Sequence, residues 1–173
     1  MNLYLRLLRI IIKIKRLRQR IEPDGTSRLS FRVWPHDCDL NLHLTNSRYL
    51  AFMDLARIWM LAEMDILASV LKNMWMPVVH SLEITFIKPL KPFQKFDVLS
   101  YSAGWDDKYI YIEQDFVAGD TIYAKAMIRG LFVKNGKPVP VQEVTEVAGN
   151  PTPSDNLQQR IKIWNQLIKM KKN

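Results

Sequence analysis

The residues best suited to chemistry fall within ten positions, Asp37-Cys38-Asp39-Leu40-Asn41-Leu42-His43-Leu44-Thr45-Asn46. A carboxylate there can activate water, an imidazole can hand over a proton near neutrality, and an amide can hold either reactant in place. The run that follows, Ser47 to about Leu61, predicts a helix with Asn46 as N-cap; Leu50, Met53, Leu55, Ala56, Ile58 and Trp59 nearly encircle its axis, so it must be buried. Free N–H groups at a helix start aim partial positive charge forward, where they would stabilise a carbonyl oxygen that gains charge under attack. A purely structural alternative stays open on spacing alone: Asp39 or Asn46 caps the helix, His43 is a satisfied turn histidine, and Asp-x-Asp is a common loop composition.

The elements that must position this loop are legible around it. Leu29 to Trp34 alternates like a strand and Pro35 ends it. A short helix is predicted over Ile66 to Lys72. Beyond Pro77, Leu82, Ile84 and Phe86 point one way and Ser81, Glu83 and Thr85 the other, with His80 on the Leu82 side as a core or pocket-lining histidine. Phe96–Trp105, Tyr109–Ala118, Thr121–Val133 and Val139–Val144 read as further strands, with Gly119-Asp120 and Asn135-Gly136 as hairpin turns. One all-round apolar helix ahead of an antiparallel meander implies an α+β arrangement in which a sheet wraps a central helix. Tyr101, Tyr109, Tyr111 and Phe116 lie on alternating faces, so both sides of part of the sheet should be covered, which favours an oligomer.

Length and charge narrow the function classes. The chain has 173 residues, 48% of them hydrophobic, enough for a real core, and its lone Cys38 excludes both an internal disulfide and a cysteine-based zinc cluster. A reducing, cytoplasmic setting fits that cysteine usage. The formal charge of +8 is uneven: residues 1–21 carry seven Lys/Arg and no acid, and residues 158–173 carry five and no acid. Between them stand thirteen basic against seventeen acidic residues, so the body is about −4 and is no nucleic-acid-binding surface. The division is therefore a basic helix over 1–22, a domain over 23–150 entered through the turn-forming Glu22-Pro23-Asp24-Gly25-Thr26-Ser27, and a C-terminal helix over 151–173 with Leu157, Ile161, Trp164 and Ile168 on one side.

Residues 3–21 lack Pro and Gly and repeat Leu3, Leu7, Ile10, Ile14, Leu17 and Ile21 on one helical face. Arg6, Arg9, Lys13, Arg16 and Arg20 form a basic stripe roughly 110° away, and Tyr4, Leu8 and Ile11 widen the apolar side. Charges interrupt it too often for a membrane span or a secretory signal. Such a helix lies flat on an anionic membrane, or packs on its own domain or on a second copy.

Asp39-x-Asn41-x-His43-x-x-Asn46-x-x-Tyr49, followed by Leu50 and Ala56-Arg57, resembles the signature of hot-dog-fold thioesterases of the 4-hydroxybenzoyl-CoA and acyl-ACP type. Pro77 to Phe86, Pro89 and Phe96-Asp97-Val98 resemble that fold's long strand and following turn; within the superfamily the likeness is greatest to thioesterase superfamily member six-like proteins, and it covers residues 29–145. The resemblance implies hydrolysis of an acyl-CoA or acyl-ACP thioester without a metal or other cofactor, by a homodimer or tetramer. It further implies Asp39 as base or nucleophile, His43 as handler of the leaving thiolate or orienter of water, and Asn41 as the positioning group. The backbone N–H groups of Asn46, Ser47 and Arg48 would form the oxyanion contact, with Tyr49, His80 and Arg48 toward the substrate. Leu42 and Leu44 make the loop greasier than in glycine-bearing members, and no second carboxylate is evident. A non-catalytic module that holds an acyl chain or small ligand in the same pocket is the rival function.

Overall fold

The computed structural model describes residues 3–17, 20–22, 24–149 and 155–171. Its elements are α1 (Leu3–Lys15), β1 (Ser27–Arg32), α2 (Asn46–Glu63), α3 (Leu67–Lys72), β2 (Met76–Phe86), β3 (Lys95–Trp105), β4 (Ile110–Ala118), β5 (Thr121–Lys134), β6 (Lys137–Pro138), α4 (Val141–Val147) and α5 (Asp155–Met170). The strands pair antiparallel in the order β1-β3-β4-β5-β2, with β6 on β5. Asn135 and Gly136 both take positive φ, as a two-residue hairpin turn requires.

The expected central helix is α2. Tyr49, Phe52, Met53, Leu55, Ala56 and Trp59 are buried against Leu29 of β1, Phe96 and Val98 of β3, Phe116 of β4 and Ala126 and Ile128 of β5, so the curled sheet closes round it. The outer face of the sheet is covered in part by α5, whose Ile161 and Trp164 pack with Ala103, Tyr109, Tyr111 and Met127. Hydrogen bonds fix that contact: Asn165 Nδ2 of α5 donates to the Tyr111 hydroxyl at 3.0 Å, which donates in turn to Asp106 Oδ2 at 2.7 Å, and Arg129 donates to Asn165 Oδ1 at 2.8 Å. Burial works to raise the Asp106 pKa, but the Tyr111 hydroxyl and the N–H groups of Lys108 and Tyr109 outweigh it and hold the carboxyl below its ordinary value. Asp106 thus serves the turn and the helix contact. Leu157 belongs to α5, but its side chain lies outside the described residues.

Three expectations need correction. Thr45, not Asn46, is the N-cap of α2, and its side chain makes no capping hydrogen bond; Asn46 is already helical. Val139–Val144 is not a strand: Pro138 and Pro140 cannot donate to a ladder, and after Pro140 the chain forms α4 with Val141, Val144 and Thr145 buried on one face. The N-terminal helix ends at Lys15 instead of running to Ile21. Ile21 N–H donates to Glu63 C=O at 3.1 Å and Arg20 to Ala62 C=O at 3.3 Å, so the carbonyl end of α2 captures this stretch. Arg18, Gln19, Pro23 and the Pro151-Thr152-Pro153 spacer lie outside the described residues.

The helix α1 itself is docked. Ile10 joins the main core and Leu3, Leu7, Ile14 and Leu17 pack against it. Arg6, expected on the outward basic stripe, is only 6% exposed. The opposite flank stays uncovered, with Tyr4, Leu5, Leu8, Ile11 and Ile12 all exposed. No described helix is long and apolar enough to cross a membrane.

Candidate functional site

Between β1 and α2 the chain makes a 3-10 turn over Pro35–Asp37 and then a closed loop. Cys38 and Leu44 pair as an isolated bridge, Asp39 N–H donates to His43 C=O at 3.0 Å, and Thr45 N–H donates to Asp37 C=O at 3.0 Å. The loop therefore returns to its own base before α2 begins. Asp39, Asn41 and His43 come together inside it. Asp39 Oδ1 accepts the N–H of Asn41 at 2.9 Å and that of His43 at 3.5 Å. Asp39 and Asn41 are exposed and His43 is half-buried. Both contacts run to the same oxygen, Oδ1.

Asn46, Ser47 and Arg48 form the first turn of α2. Arg48 N–H already donates to Thr45 C=O at 2.8 Å, so Asn46 and Ser47, which as the leading helical residues have no intrahelical acceptor, supply the outward amides. The Arg48 guanidinium turns to the base of the loop, with Nε 3.6 Å from Asp37 Oδ1. Tyr49 is 2% exposed, its ring tilted against Phe116 and edge-on to Phe86. Burial pushes its hydroxyl pKa up, against a backbone hydrogen bond from Leu90. It supports the start of α2 from inside.

His80 is not brought to this loop. A β-bulge between Val79 and Ser81 breaks the alternation of β2, so His80 does not share the side of Leu82 and Ile84, which pack on the main core. Its ring lies 4.8 Å from Tyr109, in a cleft shared with Trp164 and Ile168 of α5. Cys38 is half-buried, and burial followed by the charges of Asp37 and Asp39 raises its pKa, so the thiol is not a primed nucleophile.

Two features escaped the sequence. One is Asp37, 1% exposed, whose Oδ2 accepts Trp34 N–H at 2.9 Å and an ion-pair hydrogen bond from Arg6 of α1. The other is a cavity of about 410 Å³ between the C-terminal half of α2 (Ile58, Leu61), the sheet (Val79, Ile112, Ile128) and α4 (Val144). Its charged wall is Arg57, ion-paired with Asp54 and donating to the buried Gln114 Oε1 at 3.0 Å. Burial lowers the Arg57 pKa while Asp54 opposes that shift. Asp39, Asn41 and His43 do not line this cavity.

Comparison with known proteins agrees with this architecture. Residues 33–149 match the model of the thioesterase-like superfamily. Probable thioesterase YBR096W of Saccharomyces cerevisiae is 28% identical over 106 residues, covering 60% of this chain and 46% of the yeast protein. Protein THEM6 of Xenopus laevis is 31% identical over 114 residues, covering 65% and 55%. The chain thus spans about half the length of these relatives. Among solved structures, the probable thioesterase YbaW of Escherichia coli superposes with a TM-score of 0.66 over 70% of this chain and 95% of its own, at 21% identity, and shares the hot-dog fold. With its family model covering the loop, α2 and the whole meander, this chain belongs to the thioesterase-like superfamily.

Proposed function

We propose that the protein hydrolyses the thioester of an acyl-CoA or acyl-ACP with an apolar acyl chain. The observation that carries this is the placement of Asp39, on the closed loop that leads directly into the side-chain-uncapped N-terminus of α2. Asp39 takes a proton from water as its oxygen bonds to the thioester carbon. The carbonyl oxygen gains negative charge facing the Asn46 and Ser47 amides, and the C–S bond then breaks as Asp39 gives that proton to the departing thiolate, with His43 orienting the water. The apolar cavity under α2 is the acyl site, of the size that suits a small-molecule ligand.

Two copies complete the site. Strand β2 is a sheet edge with Met76, Val78, Val79, Phe86 and Ile87 exposed, an aggregation liability unless paired. Antiparallel pairing of two β2 edges brings the Phe86 end, which touches Tyr49 at the start of α2, beside the Met76–Val79 end that borders the cavity of the other copy. The loop of one subunit then serves the cavity of its neighbour. A panel of acyl-CoA substrates of increasing chain length, read by free thiol, tests the function: turnover should rise with chain length until the cavity is filled. Binding without thiol release across the panel would establish instead the ligand-binding module, which the structural use of Asp39 Oδ1 favours.

The address of the protein is an anionic membrane surface. Tyr4, Leu5, Leu8, Ile11 and Ile12 form an exposed apolar flank on α1, accompanied by exposed Arg9, Lys13, Lys15 and Arg16. Deleting the helix would also remove core residues, so the test leaves it docked. The double variant L8D/I12D should lose sedimentation with vesicles of anionic lipid while keeping the melting temperature of the wild type. Equal sedimentation of the two proteins would refute the assignment.

A further inference from the structure

We propose that Arg6, outside the segment matched by the family model, is a positioning residue for the hydrolytic loop, acting through Asp37. The proposal rests on the hydrolytic role of Asp39, two residues from Asp37. Three anchors converge on Asp37: its carboxylate accepts Trp34 N–H at 2.9 Å and pairs with Arg6, and its carbonyl accepts Thr45 N–H at 3.0 Å. The first holds the entrance of the loop and the last its exit, where α2 begins. Arg6 also stacks on Phe52 of α2, with Cζ 4.5 Å from the ring centroid. One guanidinium therefore ties α1, the loop base and the central helix together.

Burial makes this tie consequential. Arg6 is 6% and Asp37 1% exposed, so removing one partner takes away the hydrogen-bonded counter-ion of the other in a poorly solvated place. Arg48 Nε and His36 Nε2, each 3.6 Å from Asp37 Oδ1, stand too far to replace the lost hydrogen bond. Without Arg6 the carboxylate keeps the Trp34 N–H and two longer contacts, to Arg48 and His36, and the base from which Asp39 is presented loosens.

The lone Cys38, adjacent to Asp37 and half-buried, reports on the loop independently of turnover. The experiment uses the full chain and measures the rate of Cys38 labelling by a disulfide reagent, normalised to the thiolate fraction obtained from its pH dependence. Alongside it, kcat and KM are measured with the acyl-CoA that the wild type turns over best. Arg6→Met should raise labelling about tenfold through local opening. It should also lower kcat about tenfold or more with KM nearly unchanged, the mark of a misplaced reacting group. Arg6→Lys, which keeps the charge but loses the planar fork, should fall between. If Arg6→Met does not fold, the double variant R6M/D37N, which leaves no uncompensated buried charge, takes its place with the same expectations. Unchanged labelling would overturn the proposal, as would faster labelling with full kcat. If the wild type releases no thiol from any acyl-CoA, the hydrolytic role of the site is what fails, and labelling alone then decides whether α1 pins the loop.

Discussion

Asp39→Asn should lower thioester hydrolysis roughly 10²- to 10⁴-fold, the span associated with a positioned acid or base. The fold should survive, because the amide oxygen of Asn can still accept the N–H groups of Asn41 and His43 that Oδ1 now holds at 2.9 and 3.5 Å. What the variant loses is the negative charge and the ability to take a proton from water. Asp39→Ala is the complementary control: it loses the turn hydrogen bonds as well, so it should be both inactive and less stable, by about 1 kcal/mol for exposed bonds of this kind. Thiol release from a saturating acyl-CoA, set beside a melting curve for each protein, separates the two effects. Turnover of Asp39→Asn within threefold of the wild type would remove Asp39 from the chemistry and leave it a turn former.

The loop and its helix were readable because their signals are local. Asp39, Asn41 and His43 sit within five residues, and an apolar pattern all round the axis marks α2 as central wherever the rest of the chain goes. Arg6 shows the limit of that logic. Its helical position relative to Arg9, Lys13 and Arg16 assigns it to a solvent or lipid stripe, and its burial depends on a carboxylate thirty-one residues away that no spacing rule connects to it. Asp37 was equally hidden, since the pattern Asp-x-Asp gives no sign of which carboxylate faces inward.

The strand face expected for His80 differs for another reason. Period-two alternation is a good guide only while the pairing register holds, and the bulge between Val79 and Ser81 reverses the face of whatever precedes it. The short helix α4 was misread because six residues with three valines carry a β-like composition, while the prolines at 138 and 140, which decide the matter, act on the backbone. The cavity had no signature at all. Its walls come from α2, α4 and strands β2 to β5, and only the closed fold brings them to one volume.

The proposed association through β2 should carry the second large effect, because a site shared between copies would be lost when they part. The edge runs from Met76 to Phe86, and an antiparallel pair aligned over this length sets the Met76 end of one copy beside the Ile87 end of the other. Both side chains are well exposed in the single chain, at 61% and 50%, and neither belongs to the core clusters, so charging them should leave the protomer folded. Met76→Glu alone or Ile87→Lys alone puts an unpaired charge against an apolar side chain at each end of the seam and should weaken association about tenfold or more. Turnover should fall with it at protein concentrations below the new Kd. The double variant M76E/I87K places opposite charges together at both ends and should recover much of the association and the activity, a coupling that independent surface effects would not produce. Sedimentation velocity gives the assembly and thiol release the activity on the same samples. Single variants that remain fully active as monomers would overturn the shared site and require the acyl group to reach the cavity within one chain.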